Sequence, residues 1–169
     1  MAHITLITGG QRSGKSRYAQ QLAETFSDKP VYLATARVWD EEFKLRIARH
    51  QNDRGEHWQN IEEEKILSAH VLTHKTVLLD CITLWLTNYF FDNHFNVDLA
   101  LLQAKAEWER FVQQDFTLIV VTNEIGMGVI PDNEASRKFA DLQGWMNQFI
   151  ATRADQVILM VSGIPVKIK

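Results

Sequence analysis

Cysteine and proline are scarce in this chain: Cys81 is the only cysteine, and three prolines stand among 169 residues. A single cysteine excludes an intrachain disulfide framework and a cysteine-rich metal site, and makes a reducing cytoplasm the natural setting. There is no proline-rich stretch, low-complexity segment or internal repeat to mark a linker, so residues 1–169 are read as a single domain. Basic charge is not in excess either. A net charge of −3 gives no general attraction to a polyanion, which argues against nucleic acid as the main partner. No apolar run approaches the ~20 residues that span a bilayer. No basic-then-apolar leader is seen, so a soluble, cytoplasmic protein without a membrane span is expected. What the chain does have is 46% hydrophobic content, enough to bury a sizeable core.

It also has one dense cluster of glycine and hydroxyl residues. Gly9-Gly10-Gln11-Arg12-Ser13-Gly14-Lys15-Ser16 follows the apolar run Ile4 to Thr8 and precedes a helical pattern. The spacing G-x-x-x-x-G-K-S is that of a phosphate-binding loop, in which glycines let successive backbone N–H groups converge on one anion at a helix N-terminus. Lys15 is expected to bridge the β- and γ-phosphates, and the Ser16 hydroxyl to hold Mg²⁺.

Short β-branched runs alternate with longer amphipathic stretches along the rest of the chain. This pattern predicts an α/β fold of the single-domain P-loop NTPase-like (RecA-like) kind, a mainly parallel sheet covered by helices. Strands are expected at Ile4 to Thr8, Val31 to Thr35, Thr76 to Asp80, Leu118 to Thr122 and Val157 to Val161. Helices are expected over Lys15 to Phe26, Asp40 to Arg54, Cys81 to Phe91, Val97 to Gln114 and Asn133 to Arg153. In the last of these, Phe139, Leu142, Trp145, Met146, Phe149 and Ile150 read as one core-facing stripe. Trp85, Phe90 and Phe91 read as core, with an exposed docking patch as the alternative.

Three further places carry chemistry. Asp80 ends a strand where open α/β sheets put their ligands; it suits the Mg²⁺ side of the site, or it caps the helix that follows. Glu124, in the loop after Thr122, either acts on an attacking hydroxyl or belongs to a glycine-permitted turn at Gly126 and Gly128. Arg46, His50 and Arg54, spaced by four, share one helix face. That face is either a solvated charged surface or an anion clamp beside a neutral histidine able to attack phosphorus.

Taken in order, these segments resemble the bifunctional adenosylcobinamide kinase / adenosylcobinamide-phosphate guanylyltransferase family. The resemblance rests on Gly9 to Arg17, Leu33 to Ala36, Arg46-Ile47 with His50, Arg54, Trp58 and Glu62, Asp80 to Thr83 with Thr87-Asn88, Thr122 to Gly128 with Pro131, and Ser162 to Pro165. It implies two reactions. The γ-phosphate of ATP or GTP passes to a hydroxyl of adenosylcobinamide; GTP then guanylylates an enzyme histidine, and the GMP is handed to adenosylcobinamide phosphate. The histidine of that pattern is His50 here. The resemblance also implies nucleotide contacts at Gly9, Gly10, Gln11, Arg12, Ser13, Gly14, Lys15, Ser16, at Ala34, Thr35, Ala36, at Gln51, Asn52, Asp53, Arg54, and at Glu62 and Asp80. It implies Mg²⁺ as cofactor and a homotrimer as assembly. Gly55 replaces the family's usual proline and Asn60 its usual threonine; neither change removes a reacting group. A monofunctional P-loop small-metabolite kinase and a RecA-like nucleotide switch are the competing readings.

Overall fold

A computed structural model describes residues 1–37 and 55–169. The charged helix expected over Asp40 to Arg54 lies outside the described residues, and with it Arg46, His50, Gln51, Asn52, Asp53 and Arg54. In chain order the elements are β1 (His3–Gly9), α1 (Lys15–Phe26), β2 (Val31–Ala34), β3 (Gln59–Glu62), β4 (Thr76–Asp80), α2 (Ile82–Asp92), α3 (Val97–Phe111), β5 (Thr117–Val121), α4 (Glu134–Arg153), β6 (Gln156–Val161) and β7 (Ile164–Lys167). Short 3-10 turns occupy Leu67–Ala69 and Ile125–Met127.

The seven strands form one sheet in the order β3-β2-β4-β5-β1-β6-β7, parallel throughout except for the antiparallel β6/β7 edge. Consecutive residues of the inner strands point to opposite faces and both faces are covered, which is why these strands are apolar without alternation. On one face Leu6, Leu33, Val77, Leu79, Leu118 and Val120 pack with Trp85 and Leu86 of α2, Trp108 and Phe111 of α3, and Leu142, Met146 and Ile150 of α4. On the other, Ile7, Tyr32, Leu78, Ile119 and Ile158 pack with Ala19 and Ala23, one turn apart on α1. Both α3 and α4 open on an asparagine cap: Asn96 and Asn133 accept from the amides of Leu99 and Ser136.

The strands read from sequence are found within a residue or two. Two others, β3 and β7, were not expected. β3 reads Gln-Asn-Ile-Glu at the sheet edge and has no apolar run, and the whole of β7 is exposed. Two side chains and one helix end correct the sequence reading. Trp145 is 45% exposed, so it leaves the stripe that Leu142, Met146 and Ile150 define. Phe91 is 46% exposed, whereas Trp85 and Phe90 are core. The predicted helix from Val97 to Gln114 ends at Phe111, because Val112 leaves the helical path to reach the strand that begins at Thr117.

Candidate functional site

The parallel strands end together on one edge, and register places the predicted residues along it. Glu62 of β3 is opposite Ala34 of β2, Ala34 opposite Asp80 of β4, Asp80 opposite Val121 of β5, and Val121 opposite Ile7 of β1. The glycine-rich loop rises two residues beyond Ile7. With neighbouring strands about 4.8 Å apart, Glu62 stands roughly 19 Å across the sheet from the loop strand.

The loop is shaped by two glycines in backbone conformations that side chains disfavour. Gly9 (φ 148°) lies so close to β6 that a Cβ would sit 2.6 Å from the carbonyl oxygen of Met160. Gly14 (φ 92°) is the N-cap of α1, and a Cβ there would sit 3.2 Å from the Cα of Gly163. The Gly163 amide donates to the carbonyl of Ser13 at 2.9 Å, so the β6/β7 turn buttresses the loop from behind. The first turn of α1 holds no acidic residue and its leading N–H groups lack intrahelical acceptors, which leaves a positive helix end facing the loop.

Three polar groups mark this cradle as an anion site. Lys15 is only 7% exposed, and its ammonium donates to the carbonyl of Gly10 at 2.5 Å. Burial pushes the Lys15 ammonium below its ordinary range, against the opposing pull of Cys81 and Asp80. Ser13 Oγ is buried with no hydrogen-bond partner among the described residues, an orphan that a phosphate oxygen would satisfy. Ser16 sits half-buried one residue past Lys15.

Asp80 is fixed by Tyr32, whose hydroxyl donates to Asp80 Oδ2 at 2.7 Å. The carboxylate does not cap α2: Cys81 is the N-cap residue and no side chain caps that end. The Asp80–Cys81 peptide is cis. Thr35, fully buried, ties this segment to the sheet. Its hydroxyl donates to the Cys81 carbonyl (2.8 Å) and accepts from the Cys81 amide (3.1 Å), while Asn88 Nδ2 donates to the Thr35 carbonyl (2.8 Å). The Thr35 hydroxyl is thus committed to the Cys81 backbone. The Cys81 thiol is buried and pushed up to about 12, first by desolvation and then by Asp80, which leaves it inert.

Glu124 joins the loop from the other side. Its amide donates to the Gly9 carbonyl at 3.1 Å, and its Oε1 accepts from Thr8 Oγ1 at 2.6 Å and from Asn147 Nδ2 at 3.2 Å. One residue further, Ile125 enters the wall of an apolar groove of about 290 Å³ shared with Phe90, Phe91, Phe95, Pro131 and Phe139. Tyr32, Thr8 and Asn147 carried no sequence signal as site residues. The one hint was Gln143 and Asn147, two amides a helical turn apart in an otherwise apolar stretch.

The Asp80 carboxylate acts electrostatically on the buried ammonium, and Ser16 is the next residue of the chain; a hydroxyl and a carboxylate are donors that suit a hard cation such as Mg²⁺ beside phosphate. Among the described residues no cluster of histidine, cysteine and acidic side chains offers a protein-only metal centre. Fold and loop together define the P-loop NTPase-like, RecA-like α/β fold class. An ATPase from the type III secretion system of pathogenic bacteria shares the fold at 10% identity and a TM-score of 0.51, over 93% of this chain and 50% of that one. The family described as cobinamide kinase / cobinamide phosphate guanyltransferase matches residues 5–168, and the chain belongs to it. A bifunctional adenosylcobalamin biosynthesis protein of Escherichia coli K12, CobU, is 38% identical over 98% of this chain and 99% of its own. The one of Pseudomonas aeruginosa PAO1, CobP, is 40% identical over 97% of this chain and 96% of its own. No described helix is long and apolar enough to cross a membrane.

Proposed function

We propose that this protein is a single-domain cytoplasmic enzyme that carries out both reactions of its family. It phosphorylates a hydroxyl of adenosylcobinamide from ATP or GTP, and it then transfers GMP from GTP to adenosylcobinamide phosphate. The observation that carries this reading is a family match over residues 5–168 coinciding with a complete phosphate cradle at the end of β1. The backbone of Gly9, Gly10, Gln11, Arg12, Ser13 and Gly14, with Ser13 Oγ, holds the β- and γ-phosphates, and Lys15 exchanges the Gly10 carbonyl for a phosphate oxygen. Ser16 and Asp80 hold Mg²⁺, which when bound supplies charge neutralisation at the triphosphate. Glu62, Ala34 and Ala36, with the Thr35 backbone, stand across the sheet from the loop, where the nucleoside end of an extended nucleotide would lie.

For guanylyl transfer His50 attacks the α-phosphorus of GTP: an N–P bond forms, the bond to the bridging oxygen breaks, and pyrophosphate leaves. A phosphate oxygen of the corrinoid then attacks the same phosphorus and the N–P bond breaks, freeing the imidazole. Arg46 and the segment Gln51, Asn52, Asp53 and Arg54 contribute cationic and polar contacts to GTP, and three copies of the chain form a homotrimer. Incubation with GTP labelled at the α-phosphate tests the histidine. The expected product is an acid-labile, alkali-stable covalent label that His50→Asn lacks. No label, or a label that survives the substitution, leaves the monofunctional kinase reading.

A further inference from the structure

The carboxylate of Glu124 is held by one oxygen and left open at the other. Oε1 accepts from Thr8 on β1 and Asn147 on α4, and Oε2 takes no hydrogen bond among the described residues. Asn147 is itself fully engaged. Its Oδ1 accepts from Thr122 Oγ1 (2.7 Å) and Gln143 Nε2 (2.9 Å), and its Nδ2 also donates to the Asn123 carbonyl (3.1 Å). Asn123 is tied in turn to Thr83 Oγ1 through its own side-chain amide at 3.0 Å. Three elements and the loop after β5 thus converge on the orientation of one half-buried acid beside the phosphate loop. Both groups bonded to its side chain are neutral, and no lysine or arginine among the described residues pairs with it; the charged groups of the same site are Arg12 in the phosphate loop, Lys15 on α1 and Asp80 at the end of β4. An acid that served only to pin the loop would need neither an open oxygen nor so rigid a mount.

We infer that Glu124 is the general base of the phosphoryl-transfer half-reaction, and that Thr8 and Asn147 are positioning residues acting through it. This rests on the kinase activity proposed above. The acceptor hydroxyl gives its proton to Glu124 Oε2 as its oxygen bonds to the γ-phosphorus. The bond from that phosphorus to the β,γ-bridging oxygen breaks, the nucleoside diphosphate leaves with the electron pair, and the proton passes from Glu124 to solvent. Guanylylation of a histidine needs no such base, so the two half-reactions would separate at this residue.

The experiment follows kcat and KM for phosphorylation of adenosylcobinamide in wild type, Glu124→Gln, Thr8→Val, Thr8→Ser and Asn147→Asp. Glu124→Gln is expected to lose about 10²- to 10⁴-fold in kcat, the usual contribution of a general base. Thr8→Val removes one of the two hydrogen bonds that orient the carboxylate, and Asn147→Asp removes the other. Each should lower kcat about tenfold or more with KM little changed, and Thr8→Ser, which keeps the hydroxyl, should restore the rate. If wild type phosphorylates no corrinoid, the proposed function fails and takes this inference with it. If wild type is active and Glu124→Gln keeps its rate within about threefold, well short of the loss expected of a base, the base assignment alone falls. If Thr8→Val and Asn147→Asp both keep the wild-type kcat, or Thr8→Ser loses as much as Thr8→Val, the positioning assignment falls. Should Glu124→Gln lack a cooperative thermal transition, the Thr8 pair decides the base assignment: a kcat lost in Thr8→Val and restored in Thr8→Ser supports it, and an unchanged kcat in Thr8→Val overturns it.

Discussion

Lys15 donates its ammonium to the carbonyl of Gly10, a residue of the same loop five positions earlier. The contact gives a buried cation one partner, yet burial still holds the ammonium below its ordinary value. A group whose native value is lowered binds fewer protons in the folded state, so at neutral pH its charge costs stability. Lys15→Met is therefore expected to stabilise the ligand-free protein by about 1 kcal/mol at pH 7, a gain that fades as pH rises toward 10.5. The same variant should lose about 10²-fold or more of both transfer activities. Thermal melts and paired rate assays would show this opposition, and a destabilised variant at pH 7 would contradict it.

Tyr32 is the sole side chain among the described residues seen to hold Asp80, and it packs edge-on against Trp58 with ring centroids 6.3 Å apart. Tyr32→Phe keeps the packing and deletes the hydroxyl. Stability should fall by about 1 kcal/mol. The magnesium concentration that half-saturates the kinase rate should rise about tenfold, as when a ligand's outer support is removed. A magnesium titration of the variant checks this, and an unchanged requirement would separate Asp80 from the metal.

Asp92, at the end of α2, accepts both terminal nitrogens of Arg37 (2.8 and 3.1 Å) and the ammonium of Lys65 (2.9 Å). Arg37 first and Lys65 next hold its carboxyl well below the usual carboxylate range. A carboxyl depressed in this way contributes stability above its ordinary value of 3.8, and that contribution is lost as pH falls through and below it. The cluster is partly solvated, so Asp92→Asn should cost about 1 kcal/mol at pH 7. Urea midpoints of variant and wild type should converge as the pH is taken below 3.8.

Gly9→Ala should be the most damaging single methyl in the molecule's candidate site. The added carbon meets the Met160 backbone carbonyl at 2.6 Å, which cannot retreat without shifting the loop off β6, and Ser13 Oγ at 2.9 Å. A loss of about 1–3 kcal/mol is expected. Equilibrium binding of a fluorescent GTP analogue should weaken together with the melting temperature.

The strands that proved legible in sequence are those buried on both faces, because double burial demands an unbroken apolar run such as Thr76 to Asp80. Edge strands carry no such demand. Gln59–Glu62 needs only backbone pairing with β2, and Ile164–Lys167 is exposed along its length with a proline at position 165. The Ser162-Gly163 pair between two apolar runs was a hairpin signal all the same, and both residues adopt positive φ. Trp145 misled because helical spacing alone does not say how wide the buried face is. The wall of α4 turned toward the sheet carries Gln143 and Asn147 on one flank and leaves Trp145 beyond the other. The phosphate loop and Asp80 were readable since their chemistry fixes residue type and place. The supports were not, because a tyrosine, a threonine or an amide becomes a positioning group only through contacts far apart in the chain.

The bond from the Gly163 amide to the Ser13 carbonyl joins residues 150 positions apart in the chain, 163 less 13. During synthesis the phosphate loop leaves the ribosome well before its rear support. A nascent chain therefore carries the nucleotide signature long before it carries a finished cradle, and competence to bind arrives only when the β6/β7 hairpin has emerged and docked.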